Sequence, residues 1–204
     1  MRSALSKATS KANSKANSKA GRGVAIAATT VVVTSVAVGG FPQTGYAQSL
    51  IDEVKLGILY HDAPNLWSGF RLEREAADIN LEVLFRPSFP LLIGSIRPVI
   101  GGSVSTLGDT SHAYAGLRWQ VEMPLGLFFG LGLGAAVHDG YTLPDKVDRK
   151  ALGSRALFHI PAEIGWRFDG RNSISVYFEH TSNASLARHN EGMDRIGLRY
   201  GYRF

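Results

Sequence analysis

The sequence predicts an all-β protein, an eight-stranded antiparallel transmembrane β-barrel. Three observations carry that prediction. Apolar and polar residues alternate with a period of two through about eight segments after residue 50. The final segment, Asp194 to Phe204, alternates strictly up to a terminal aromatic. The first 47 residues have the composition of an export signal.

The leader comes first. Residues 1–22 carry Arg2, Lys7, Lys11, Lys15, Lys19 and Arg22, no acidic residue, and a repeated Ser-Lys-Ala unit. An uncharged stretch rich in Ala, Val and Thr runs from Gly23 to Gly40. Gly45-Tyr46-Ala47 then offers the small residues that a signal peptidase reads, so cleavage is expected after Ala47. The rival reading is an uncleaved anchor, because the apolar run approaches the ~17 residues of a spanning helix. The expected division is a signal peptide with an extended basic region, 1–47, and a barrel domain, 48–204.

Charge follows the leader. The whole chain holds 22 Lys and Arg against 17 Asp and Glu; without residues 1–47 the balance is 16 against 17. The positive total therefore gives no reason to expect nucleic acid as a partner. The chain has no Cys, so the exported domain is not held by disulfides.

The segments alternate as follows. Val54, Leu56, Ile58 and Tyr60 oppose Lys55, Gly57 and Leu59; Ile79, Leu81, Val83 and Phe85 oppose Asn80, Glu82 and Leu84. A weaker third segment around Ile96 to Val104 contains Pro98. Leu117, Trp119 and Val121 oppose Arg118, Gln120 and Glu122, and Phe129, Leu131, Leu133 and Val137 oppose Gly130, Gly132 and Gly134. Phe158, Ile160, Ile164 and Trp166 oppose His159, Glu163 and Arg167. The last two segments are Ser173 to Ser182 and Asp194 to Phe204, with Gly, Pro, Asp and Asn between segments as turn formers.

A soluble sandwich or lipocalin-like barrel and a membrane barrel both give this pattern, with opposite faces inside. Arg118, Glu122, Glu163, Arg167, Arg199 and Arg203 oppose the apolar rows and suit pairing in a narrow lumen. The segments also approach the ~9–11 residues a tilted membrane strand needs. Together with the leader and the aromatic terminus, this favours the membrane barrel.

Polar residues break the lipid-facing row in one place. In the seventh segment Ile174, Val176 and Phe178 share parity with His180 and Ser182, and in the eighth the row of Ile196 extends back to Asp194. Two consecutive strands bring all three to the rim beside their connecting loop. His and Ser two apart on a strand stand roughly 6.5 Å apart along it, close enough for the side chains to meet. A serine hydroxyl becomes a nucleophile when an imidazole takes its proton, and a carboxylate orients that imidazole. Ser182, His180 and Asp194 suit those roles. The bland alternative is polar residues at a water interface, where alternation fades anyway.

The stretch His180-Thr181-Ser182-Asn183-Ala184, then Asn190-Glu191-Gly192-Met193-Asp194, then the closing strand, resembles the C-terminal signature of the lipid A 3-O-deacylase family. The likeness covers about 25 residues. It implies an eight-stranded barrel in the Gram-negative outer membrane with its site on the outer wall. It further implies hydrolysis of the 3-position acyl ester of lipid A in lipopolysaccharide through an acyl-enzyme, without metal or organic cofactor. By the same resemblance Ser182 is the nucleophile, His180 the base and Asp194 the third member, where the family carries glutamate. Asn183 matches an oxyanion-hole residue, with Ser185 where the family has glycine, and Asn190 shapes the loop. A second copy of the chain is an implied partner. The alternative function is a non-enzymatic outer-membrane barrel serving adhesion or envelope integrity.

Other signals carry less. Gly130-Leu131-Gly132-Leu133-Gly134 lies in a period-two run with no helix after it, so inward glycines explain it better than a nucleotide loop. His61, His112, His138, His159 and His189 show no metal-ligand spacing and read as interfacial or lumen residues. Asp62 to Asp78 fits a turn region or a short helix.

Overall fold

The computed structural model describes residues 50–204; the expected leader and cleavage site lie outside the described residues. In chain order the strands are β1 (Ile51–Tyr60), β2 (Ala77–Phe85), β3 (Phe89–Leu91), β4 (Gly94–Ser105), β5 (His112–Glu122), β6 (Leu127–His138), β7 (Ala156–Arg167), β8 (Asn172–Ser182) and β9 (Met193–Arg203). All pairings are antiparallel. β1 pairs with β9 as well as β2, and β2 pairs with β4, so the sheet closes on itself and leaves no long free edge.

The closed barrel has the eight walls that alternation predicts, although nine strand segments build them. β2 covers β4 from Val99 to Ser105, while β3 covers it from Gly94 to Ile96, so the two lie in line on the same side of β4. Pro87 falls in the gap between them, and Pro98 falls at the matching point of β4. Proline has no N–H for a ladder bond, so paired prolines interrupt one wall without opening it.

Connections differ sharply between the two rims. At one rim lie the tight turns after β3, β5 and β7; at the other lie long loops 61–76, 106–111, 139–155 and 183–192. In membrane barrels short turns mark the periplasmic end and long loops the outside.

The apolar rows face outward, with Leu56, Ile58, Leu117, Leu133, Ile164 and Leu198 all exposed. The inward row is rich in charged residues that pair across the lumen. Lys55 Nζ meets Glu163 at 2.8 Å, Arg118 meets Glu82 at 2.6 Å, and Arg199 meets Glu82 and Glu163 at 3.0 and 2.9 Å. Arg199 also lies 3.7 Å from the centre of the Tyr177 ring. Charges taken out of water this way are tolerable because each has an opposite partner close by. The seam between β1 and β9 is tight: a Cβ on Gly197 would stand 2.1 Å from Ile58 O.

Candidate active site

β8 and β9 place His180 and Asp194 as directly opposed partners, and Ser182 follows two residues along β8 on the same face. The side chains converge. His180 Nδ1 lies 2.6 Å from Asp194 Oδ1, and His180 Nε2 lies 2.9 Å from Ser182 Oγ. A carboxylate only accepts hydrogen bonds, so Nδ1 carries the proton, and Nε2 is left to accept from the serine hydroxyl. That is the tautomer a serine nucleophile requires.

Parity puts these residues on the outer wall, yet all three are buried. Their cover is loop 61–76, which sequence alone leaves between a turn and a helix. It contains no helix. Trp67 stacks flat on the His180 imidazole, ring centroids 4.4 Å apart and planes 11° from parallel. Ser68 N–H donates to Asp194 Oδ2 at 2.5 Å, so both carboxylate oxygens are engaged. No spacing links Trp67 or Ser68 to His180 in the sequence, and Leu66, Phe70 and Leu72 in the same loop keep Trp67 from standing out.

A buried ionic cluster fixes that loop. Asp62 Oδ2 accepts the N–H groups of Leu72 and Glu73, and Asp62 also pairs with Lys150 at 2.8 Å. His61 lies between Asp78, at 2.9 Å, and Glu73, at 3.0 Å. Burial alone would push the His61 imidazole down, but its hydrogen bonds to Asp78 and Glu73 outweigh burial and hold it above 6.5. Burial likewise opposes ionisation of Glu73, yet hydrogen bonds from His61 and Thr110 bring its carboxyl down to about 2.

Loop 183–192 supplies the other side of the site. Leu186 N–H donates to Asn183 O at 3.0 Å, closing a turn with Ala184 and Ser185 at its centre. Both central residues have positive φ, 52° and 62°. Two positive values in succession are the hallmark of a type I′ turn, which favours Gly and Asn. Among the described residues the N–H groups of Ala184 and Ser185 have no acceptor. Asn183, by contrast, has spent its donors: its amide bonds Leu152 O at 2.7 Å and His189 O, and its backbone N–H bonds Asn190 Oδ1 at 2.9 Å. Asn190 Nδ2 in turn donates to Ser185 Oγ at 3.3 Å, so Asn190 braces the loop. The structure therefore gathers Ser182, His180 and Asp194, leaves the Ser185 N–H of the following turn without an acceptor, and makes Asn183 a brace between two loops.

The family model described as lipid A 3-O-deacylase (PagL) matches residues 100–203. Among solved structures, the crystal structure of the outer membrane enzyme PagL is similar in fold, with a TM-score of 0.56 and 18% identity over 74% of this chain and 99% of that one. The backbone structure of the Yersinia pestis outer membrane protein Ail in a phospholipid nanodisc gives a TM-score of 0.44 and 14% identity, over 75% of this chain and 99% of that one. No curated protein sequence matches the chain.

Proposed function

Since this chain belongs to the lipid A 3-O-deacylase (PagL) family, an outer-membrane deacylase family, we propose that it is a serine esterase removing the 3-position hydroxyacyl chain of lipid A. The observation that carries the mechanism is the unbroken chain from Ser182 Oγ through His180 to Asp194 on the outer wall.

In this reading Ser182 Oγ attacks the ester carbonyl as its proton passes to His180 Nε2. Asp194 stabilises the imidazolium and keeps the ring in place. The carbonyl oxygen becomes an oxyanion that the N–H groups of Ala184 and Ser185 receive, Asn183 acting only to hold their turn in position. Collapse breaks the bond to the sugar oxygen, which leaves with the proton from His180. Water, activated by the same nitrogen, then attacks the acyl-serine and releases a 3-hydroxy fatty acid. The outer wall suits such a substrate: the acyl chain remains in the bilayer while the ester lies at the long-loop rim. The cost of polar groups on a lipid-facing wall falls near the interface, where this site sits.

Mass spectrometry of lipid A from a Gram-negative host expressing the protein tests this directly. Wild type should remove one 3-hydroxyacyl mass, and Ser182→Ala, folded to the same level, should remove none. Unchanged lipid A with both folded proteins would discard the esterase reading and favour a structural barrel.

A further inference from the structure

We propose that the upper lumen holds a divalent transition-metal ion, of the zinc class, between His112, His159 and Glu179. These residues sit on β5, β7 and β8, and their ligand atoms all lie within 4.8 Å of one another. All three are buried. They are scattered over 68 positions of sequence, from 112 to 179, so no spacing motif announces them.

The geometry is close to that of a first coordination sphere. Ligand atoms each ~2.1 Å from one tetrahedral ion stand ~3.4 Å apart. His112 Nε2 lies 3.4 Å from Glu179 Oε1, while His159 Nε2 hydrogen-bonds the other oxygen, Oε2, at 3.0 Å, a contact that an ion would replace.

Two further observations point to a cation. Both ring nitrogens of His112 are buried without an aligned hydrogen bond among the described residues, the nearest carboxylate being Glu179 Oε1 at 3.4 Å from Nε2. At least one of them carries a proton in the absence of an ion, and an unsatisfied buried donor costs about 1–3 kcal/mol. Charge balance points the same way. The lower lumen sets Glu53, Glu82 and Glu163 against Lys55, Arg118, Arg167 and Arg199, whereas the upper lumen sets Glu73, Asp78 and Glu179 against Arg195. Lys150, also buried there, is taken by Asp62. Arg195 approaches Glu179 Oε1 only to 3.9 Å, its guanidinium being committed to Asp78 and to Thr110 O. Even with His61 protonated between Glu73 and Asp78, the upper lumen keeps an excess of negative charge that a cation offsets.

The surroundings would orient the ligands. Ser103 Oγ and Tyr177 Oη donate to the Glu179 carboxylate at 2.9 and 3.1 Å, and the Tyr114 ring stacks on His159 at 3.9 Å. Two imidazoles and a carboxylate leave a fourth position for water or a hydroxyl, and their mixed donor set suits zinc over calcium or magnesium. The ion would tie three walls together directly behind His180, which follows Glu179 on β8 but faces the other side of the sheet.

Full-length protein, extracted from outer membranes in detergent and stripped with chelator, is dialysed against zinc and weighed for metal. Wild type should retain one zinc per chain, and His112→Gln and Glu179→Gln should each weaken retention tenfold or more, while His189→Gln in the outer loop should not. X-ray absorption of zinc-loaded wild type should show two imidazole ligands, which decides the matter even if the lumen variants fail to fold. Retention below one equivalent, fewer than two imidazoles, or folded His112→Gln and Glu179→Gln proteins that keep their zinc would overturn the site.

Discussion

Ala184 and Ser185 carry an expense that the family's glycine would remove at the second position. A side chain with a Cβ in the left-handed region costs roughly 1–2 kcal/mol, and Ser185 holds φ of 62°. Ser185→Gly should therefore raise unfolding stability by about 0.5–1 kcal/mol after the greater freedom of unfolded glycine is subtracted. Denaturant unfolding in micelles measures this, and deacylation should persist because the N–H stays in the same turn. Asp194 reaches His180 Nδ1 at 2.6 Å although its side chain is one methylene shorter than glutamate. Asp194→Asn offers an amide that can turn its N–H to the ring and favour the wrong tautomer, so kcat should fall by about 10³–10⁴ with KM little changed. An equal loss in KM would point to a role in binding instead. At this scale the sequence was informative where period two applies, since parity alone puts His180, Ser182 and Asp194 on one face. It misled on Asn183, which resemblance puts in the oxyanion hole but whose amide is committed to carbonyls of residues 152 and 189.

Loop 61–76 is the element that local sequence signals leave unread. Its fixed points are Thr110, Lys150 and Asp194, all far along the chain, and it has neither the length-two nor the 3.6-residue periodicity that would reveal its course. The buried cluster beneath it makes its order depend on pH at both ends. His61 titrates above 6.5 in the folded protein, so its stabilising charge is in full force below 6.5 and disappears as pH rises through the raised value. Glu73 ionises at about 2 rather than 4.5, so its contribution is present above 4.5 and disappears as pH falls through about 2. Hydrogen exchange of residues 61–76, corrected for intrinsic rates, should be slowest in weakly acidic solution and accelerate on either side. A flat profile would show that the cluster does not hold the loop. Glu73→Gln should speed exchange in the same residues in weakly acidic solution, because the amide can no longer pair with charged His61.

For the molecule as a whole, stability rests on the lumen network as much as on the lipid face. Arg199 touches Glu82, Glu163 and the Tyr177 ring while fully enclosed. Arg199→Met should destabilise the barrel by about 3–5 kcal/mol by leaving two carboxylates short of a partner. Unfolding in lipid vesicles measures this, and a cost below 1 kcal/mol would mean that water or Lys55 compensates. The eight-walled barrel was legible because lipid enforces alternation on every wall. The split of one wall into β2 and β3 was less so, since the gap at Pro87 and its counterpart at Pro98 on β4 come into line only through the register. That register has a further reach. Trp67 and Ser68 belong to the first hairpin, His180 and Asp194 to the last, and the two become neighbours only when β1 zips to β9. If the site works as proposed, insertion and chemistry mature in a single event: a chain whose ends have not yet met is unarmed, and the appearance of turnover would timestamp the moment at which the cylinder shuts.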